Sequence, residues 1–173
     1  IVHFIASKGE ILKRYDDYER IRSTVLALGH TIAYDWIDEE REYWESGKRH
    51  TSAEWEKIVS KNMAALARAE VVIAEASAMT FSSGYMIAHA INQKKPVLVL
   101  TRDNQLEGTF SSGIVSDFVR LVNYSESDVR DYITDFIDEN NIDNKDLRFN
   151  FFIDRQIRMP CNAELRKLSD LAA

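Results

Sequence analysis

The sequence predicts an α/β fold in which a mainly parallel, five-stranded sheet is doubly wound, as in flavodoxin-like or Rossmann-like domains, with helices on both faces. Short apolar runs alternate with segments of helical periodicity along most of the 173 residues, and this alternation is typical of a sheet with helical crossovers. The runs are nearly continuous in apolar residues, as in strands that are buried on both faces. Only 6 Gly and 2 Pro are present, which argues against a disordered or loop-rich chain.

The first two predicted strands flank an amphipathic helix. The run IVHFIA at 1–6 predicts a buried strand that ends at Ser7-Lys8-Gly9. Apolar residues recur at spacings of three and four over 15–28, which predicts a helix, and Gly29 follows where a C-terminal helix cap belongs. A short second strand is predicted at 30–34.

The middle of the chain begins with a polar and aromatic segment at 35–50, which we interpret as a long loop with some helix. Thr51-Ser52-Ala53-Glu54 is a capping box, in which the hydroxyl and the carboxylate satisfy reciprocal backbone N–H groups. It predicts the start of a helix over 52–68. The remaining predicted elements are strands at 70–75, 96–101 and 118–122 and helices at 82–93 and 125–139.

We predict one α/β domain over 1–140 and a short C-terminal extension over 141–173. A polar break, NNIDN, separates the two. The extension has a strand-like segment at 147–154 followed by a helix-like one at 162–172, an order that vaguely resembles a ribbon-helix-helix segment. Because Pro160 interrupts that order and no second helix follows, we favour a docking or dimerisation tail.

Charge and composition exclude several classes of function. Lys plus Arg is 22 and Asp plus Glu is 28, so 22 − 28 gives a net charge of −6, which disfavours binding to nucleic acid polymers. No apolar run approaches the ~20 residues of a membrane helix, and no signal-peptide pattern opens the sequence. The lone Cys161 excludes an internal disulfide and fits a reducing compartment, so we expect a cytoplasmic protein. No cluster has metal-ligand spacing, and we expect no metal and no cofactor.

The segment after the strand at 70–75 is the most informative part of the sequence. Hydroxyl residues and a glycine stand directly before a predicted helix, at Thr80, Ser82, Ser83 and Gly84. A helix N-terminus offers free N–H groups and a partial positive charge, which together bind anions such as phosphate. The alternative is that Ser82 or Ser83 only caps the helix. The segment is neither a Walker loop nor a G-x-G-x-x-G turn.

The stretch at 69–100, AEVVIAEASAMTFSSGYMIAHAINQKKPVLVL, resembles the nucleoside 2-deoxyribosyltransferase superfamily. It is most similar to the branch that includes the 2′-deoxynucleoside 5′-phosphate N-hydrolases. The matching features are the acidic residue and strand at 70–75, the Gly84-Tyr85 pair and the Lys95-Pro96 pair, and their spacing needs no gap. The resemblance covers about 30 residues well, and the order of strands extends it loosely over 1–124.

The resemblance implies cleavage of the N-glycosidic bond of a nucleoside or nucleotide. In that family a glutamate at the start of the helix attacks the anomeric carbon and forms a glycosyl-enzyme intermediate. The motif places this glutamate at Met86, whose thioether cannot do the work of a carboxylate. A second family acid falls on Asn62. Glu75 matches a position that usually braces the loop, and it remains a candidate acid together with Asp35 and Asp38.

The resemblance also implies a set of binding residues. Thr80 matches a phosphate-facing hydroxyl, and Ser82 stands where relatives have glycine. Ser7 matches a serine of the first loop, and Ser111-Ser112 match a loop that reaches the phosphate of a neighbouring subunit. Tyr15 and Trp36 are candidates to stack on a base, although such aromatic residues often seal a core edge instead. The full set of predicted binding residues is Ser7, Lys8, Gly9, Tyr15, Trp36, Thr80, Ser82, Ser83, Gly84, Tyr85, Ser111 and Ser112.

Two functions of different classes follow. The first is a deoxyribosyltransferase-like or nucleotide N-glycosidase enzyme in which Met86 impairs catalysis or another acid takes over. The second is a catalytically silent nucleotide-binding sensor on the same scaffold, and a receptor for a nucleotide-derived signal, as in TIR-like domains, is a third and weaker alternative. Because relatives are commonly dimers or larger, the resemblance further implies a homo-oligomer that contacts its partner through the helix at 82–93 and the loop up to Gly113. The histidine on that helix, His89, is interpreted as a surface or interface residue.

Overall fold

A four-stranded, fully parallel sheet is the central element of the residues that the structure describes. In the computed structural model, which describes residues 1–78, 80–102 and 116–140, the strands are β1 (Val2–Ile5), β2 (Val71–Glu75), β3 (Val97–Thr101) and β4 (Val119–Asn123). They lie in the order β1-β2-β3-β4. The register pairs Val2 with Val71, Val72 with Val97 and Val97 with Val119.

Five α-helices connect or follow these strands within the described ranges. A short 3-10 helix at Lys8–Glu10 follows β1 and leads into the first of them. The helices are α1 (Ile11–Ala27), α2 (Ile37–Glu45), α3 (Ser52–Arg68), α4 (Phe81–Asn92) and α5 (Val129–Glu139).

The prediction of five strands is wrong, because the segment at 30–34 forms a single bridge and not a strand. Ile32 pairs in parallel with Val2, and Val2 exchanges backbone hydrogen bonds with its neighbours Thr31 (2.9 Å) and Ala33 (2.8 Å). The chain then leaves the sheet edge, since the ring of Trp36 enters the core and stacks on Phe4. The segment at 30–34 therefore forms one bridge to β1 and no fifth strand.

Two apolar layers cover the sheet, as the doubly wound prediction requires. Alternate residues of a strand point to opposite faces, and β2 shows this clearly. Val71 and Ile73 pack in a layer with residues of α1, α2 and α5, whereas Val72 and Ala74 pack in a layer with residues of α3 and α4.

Local sequence signals set several helix boundaries. Helix α3 begins and ends where the sequence predicts, and both hydrogen bonds of the Thr51–Glu54 capping box are present. Gly29 follows α1 with φ of +82°, a conformation that a residue without Cβ adopts at little cost. The polar segment at 35–50 contains more regular helix than predicted, because the inward-facing Ile37 and Glu40 are both buried in α2.

Parts of the prediction concern residues outside the described ranges. These are the C-terminal extension at 141–173, with its strand-like and helix-like segments, and Ser111-Ser112. The proposed domain boundary near residue 140 stays a prediction. Among the helices that the structure describes, none has both the length and the apolar character needed to cross a membrane.

Candidate functional site

The candidate site lies at the carboxyl edge of the sheet. All four strands are parallel, so the residues that follow them meet at one edge: Ser7 after β1, Ser77 after β2, Arg102 after β3 and Tyr124 after β4. In open α/β sheets ligands bind beyond this edge. The polar groups at this edge are therefore the first candidates for contacts with a ligand.

The N-terminus of α4 is capped by Thr80 and leaves donors free. The Thr80 hydroxyl accepts from the Ser83 N–H at 3.2 Å and also contacts the buried Ser83 hydroxyl at 2.8 Å, while the Thr80 carbonyl accepts from the Gly84 N–H at 3.1 Å. The cap is thus Thr80, and neither Ser82 nor Ser83 has that role. The N–H groups of Phe81 and Ser82 have no acceptor within the described residues, so two donors at the positive end of the helix dipole remain for an anion.

Glu75, at the end of β2, braces the loop that leads to this helix. The side chain is 1% exposed, and its Oε1 accepts from the Ser77 N–H at 3.1 Å, from the Ser77 hydroxyl and from the Tyr124 hydroxyl at 3.4 Å. Burial raises the pKa of Glu75, and the hydrogen bonds from Ser77 and the charge of Arg14 oppose that rise. Oε2 has no hydrogen-bond partner within the described residues.

Ser77 joins this loop to the loop that follows β3. Its hydroxyl oxygen accepts from the Arg102 N–H at 2.8 Å while it donates to Glu75. One strand further, the Thr101 hydroxyl donates to the Asn123 side chain at 2.7 Å. The starts of the loops after β2, β3 and β4 are therefore held in one hydrogen-bonded layer.

A network of charged side chains extends this layer towards α1. The Arg102 guanidinium lies 2.7 Å from Asp17 and 3.3 Å from Glu126, and Arg20 lies 3.3 Å from the other oxygen of Glu126. Arg14 lies 3.7 Å from Asp17. Burial raises the pKa of Asp17, although Arg102 opposes the shift. Sequence reasoning missed this network, because the helical periodicity of α1 shows only that these residues lie off its apolar face.

A second charged cluster surrounds Lys8, which follows β1 in the chain. Lys8 is 9% exposed, and its ammonium lies 3.7 Å from the centre of the Trp36 ring and 3.4 Å from the buried Glu40 carboxylate. His50 approaches the other oxygen of Glu40 at 2.9 Å and stacks on Tyr43. Burial lowers the pKa of Lys8 to about 7, and Glu40 only partly opposes that shift. Lys8 was predicted to bind ligand, but its ammonium faces this internal cluster.

The side chains of Met86 and Asn62 are engaged away from the charged network. Met86 is 7% exposed and packs with Leu66, Val97 and Val99 in the apolar layer under α3 and α4. The Asn62 amide donates to the Ile58 carbonyl at 2.9 Å within α3. The residue at the expected nucleophile position, Met86, therefore lies in the core. The residue at the expected position of the second acid, Asn62, is hydrogen-bonded within its own helix.

The predicted stacking residues are also occupied. Trp36 is fully buried, with its ring against Phe4 and Tyr18, so it seals the core and presents no free face to a base. Tyr15 donates to Asp38 at 3.1 Å, and its ring lies under the Arg41 guanidinium at 4.3 Å.

A shallow depression of about 350 Å³ between α1 and α2 is lined by Leu12, Lys13, Tyr15, Asp16, Arg41 and Glu45.

The two acids considered as substitutes are paired on the surface. Asp35 lies 2.7 Å and Asp38 3.4 Å from the guanidinium of Arg22. Of the three candidate acids, only Glu75 is buried at the carboxyl edge of the sheet. Within the described residues no group of His, Cys, Asp and Glu side chains has the arrangement of a metal site.

Aromatic side chains on α4 are exposed beside the capped N-terminus. Phe81 is 90% exposed, Tyr85 is about half exposed, and the Tyr85 ring contacts His89 edge-on at 4.5 Å.

In the loop that follows β1, Gly9 is exposed and no atom would crowd a Cβ there. The Ser7 carbonyl in the same loop accepts from the buried Tyr18 hydroxyl at 3.1 Å.

Comparison with known proteins identifies the fold. No protein-family model matches the sequence, and no curated protein matches it either. Among solved structures, the chain is similar to the CMP N-glycosidase BcmB of Clostridium botulinum, with a TM-score of 0.52 and 14% identity. The match covers 79% of this chain and 99% of that one. The two chains share an α/β fold in which helices flank a parallel sheet.

Proposed function

We propose that the chain binds a nucleoside 5′-monophosphate at the carboxyl edge of β1 and β2, with the phosphate at the N-terminus of α4. The observation that carries the proposal is the capped turn at Thr80, which leaves the N–H groups of Phe81 and Ser82 free beside an exposed Ser82 hydroxyl. Such a turn is suited to a phosphate. The shared fold with a CMP N-glycosidase supports a nucleotide as the molecule that carries this phosphate.

The catalytic half of the proposal concerns Met86. On an N-glycosidase scaffold, a carboxylate at this position would stabilise the oxocarbenium-like transition state or bond to it. An uncharged thioether supplies neither effect, and Met86 lies in an apolar layer. We therefore expect the chain to bind nucleotide and to release base slowly or not at all, which favours the silent sensor over an active enzyme.

Glu75 does not replace the missing nucleophile in this proposal. Its carboxylate is covered by Ser77 and Tyr124, and burial disfavours the charged form that a nucleophile needs. A role in holding the loop between β2 and α4 agrees with these contacts. The proposed contributors to binding are thus backbone donors of α4, positioned by Glu75 through Ser77.

Calorimetric titration tests the binding claim. Nucleoside 5′-monophosphates with each base, in ribose and deoxyribose forms, are titrated beside the corresponding unphosphorylated nucleosides. We expect saturable binding of at least one monophosphate and clearly weaker binding of its nucleoside, because the phosphate supplies the main contact. Absence of heat for every monophosphate at millimolar concentration would contradict the proposal.

Chromatographic measurement of free base tests the catalytic claim. The natural chain is expected to release base slowly or not at all. Met86→Glu is expected to increase release if position 86 is the nucleophile position, and Met86→Gln is the matched control because it has a similar shape and polarity but no charge. Base release by the natural chain at ordinary enzymatic rates would show that another acid acts, with Glu75 the first to test.

We also propose that the chain forms a homo-oligomer through α4. The exposed Phe81 and Tyr85 on α4, with Trp55 and Val59 on α3, present apolar area on the same side of the sheet. Light scattering should give the mass of a dimer or larger, and Tyr85→Arg should lower it. A monomer at all concentrations would rule this proposal out without affecting the nucleotide titration.

A further inference from the structure

Glu126 lies between two arginines on the face of the sheet opposite α4. One oxygen of its carboxylate lies 3.3 Å from the Arg102 guanidinium and the other 3.3 Å from that of Arg20. The two arginines come from different elements, α1 and the start of the loop after β3. A bidentate anion thus already fits between them, and the carboxylate of this chain demonstrates the geometry.

Arg102 is held in place independently of Glu126. Arg102 is fixed through its backbone by the Ser77 hydroxyl at 2.8 Å and through its guanidinium by Asp17 at 2.7 Å. Its guanidinium also lies 5.3 Å from the centre of the Tyr124 ring. Nη1 of Arg20, which lies 3.3 Å from Glu126, and Nε of Arg102 are buried atoms that make no hydrogen bond among the described residues, so both retain a donor for an anion.

Glu126 itself is the loosely held member of the group. Its side chain is 65% exposed, so it can move into water without exposing apolar surface. An exposed ion pair of this kind contributes little to stability. The hydrogen bond from Arg102 and the charge of Arg20 hold the pKa of Glu126 below its usual value.

We propose that Arg20 and Arg102 form a second anion seat, which Glu126 fills in this structure and which a phosphate group occupies when Glu126 is displaced. An arginine guanidinium can donate two parallel N–H hydrogen bonds to two oxygens of one phosphate group. The seat lies at the carboxyl ends of β3 and β4, on the layer of α1 and α5, whereas the phosphate turn of the proposed function begins α4 on the other layer. The seat is therefore a separate site.

The test is a titration with inorganic phosphate and with methyl phosphate at constant ionic strength, which distinguishes the free ion from an ester. Glu126→Gln removes the competing charge and keeps the side-chain shape. It should raise the affinity for at least one of the two ligands by about fivefold, the scale of a single exposed ion pair. Arg20→Gln should abolish that gain in the Glu126→Gln background.

Glu139→Gln is the matched control, since Glu139, at the end of α5, also makes an ion pair with an arginine, Arg120, at 3.2 Å. It should leave phosphate affinity unchanged. Equal affinity in the natural chain and in Glu126→Gln for both ligands would overturn the proposal, and so would a gain that survives Arg20→Gln. Arg20 makes no contact with the buried Glu75, so its loss should leave the folded structure intact, and circular dichroism checks this.

Discussion

Replacing Lys8 by methionine tests how the buried charged cluster around Lys8 affects stability. The substitution keeps the length of a side chain that is 9% exposed and removes its buried ammonium, which lies against Trp36 and Glu40. Burial lowers the pKa of Lys8 from an ordinary 10.5 to about 7. Between these two values the unfolded chain binds a proton that the folded chain has released. The natural chain should therefore gain stability relative to Lys8→Met as the pH rises from 7.

The size of this effect follows from the two pKa values. A shift of one unit corresponds to about 1.4 kcal/mol. At pH 6 both states of the natural chain hold the proton, and the full cost of the buried charge is present. By pH 9 the folded state has passed its pKa of about 7 by two units, so the free energy of unfolding should have risen by about 2 to 3 kcal/mol relative to the variant.

Urea denaturation at pH 6, 7, 8 and 9, followed by circular dichroism, measures this difference. Lys13→Met is the control, because Lys13 lies five residues further along, in the first turns of α1, and is an exposed lysine that pairs with Glu10 at 3.2 Å. Its difference from the natural chain should not change with pH. A Lys8→Met difference that is flat over this range, or that falls with pH, would refute the claim that burial outweighs the attraction of Glu40.

Three further predictions concern stability. Thr51→Ala removes the capping box of α3 and should lower the free energy of unfolding by about 1 kcal/mol, measured by urea denaturation. Gly29→Ala places a Cβ at a φ of +82° and should cost about 1 kcal/mol by the same assay; no loss would mean that this φ is not maintained. In Glu75→Gln, the loss in the free energy of unfolding relative to the natural chain should become smaller as the pH rises above 4.5. The reason is that the raised pKa of Glu75 makes the natural chain lose stability over this pH range. A loss that stays constant or grows with pH would contradict a buried site that favours the protonated carboxyl.

The elements that the sequence predicted well carry their signals locally. Helix α3 depends on a capping box within four residues and on a simple apolar periodicity, and both are visible in the letters. The segment at 30–34 has the composition of a strand, but its pairing depends on where Trp36 goes next. Because Trp36 packs on Phe4, 32 positions earlier in the chain, no local pattern could show that only one bridge would form.

The side-chain partners at the carboxyl edge of the sheet could not be predicted from the sequence, for the same physical reason. The turn at Thr80 to Gly84 is contiguous and could be recognised, although the capping residue was not the one considered. The pairing of Arg102 with Asp17 and of Lys8 with Glu40 joins residues 85 and 32 positions apart. Long polar side chains give no periodic signal that reveals such partners. Lys8 and Trp36 follow strand-like segments in the sequence, but the direction of their side chains is decided by packing against Glu40 and Phe4.

The capped turn of α4 can be tested without changing its side-chain packing. Phe81 is the first residue of α4, a position at which proline is well tolerated, and the preceding Thr80 has φ of −124° and ψ of 155°, which suit a residue before proline. Phe81→Pro therefore deletes one free N–H donor. Phe81→Ala removes the same exposed ring and keeps the donor, so the comparison of the two variants isolates the N–H group.

Titration of these two variants with the tightest-binding nucleoside 5′-monophosphate tests whether the phosphate lies at the N-terminus of α4. We expect Phe81→Pro to bind the monophosphate about tenfold more weakly than Phe81→Ala, because one hydrogen bond to a charged group is lost. Binding of the unphosphorylated nucleoside should be the same in both. Equal affinity of the two variants for the monophosphate would show that the phosphate does not lie at the N-terminus of α4.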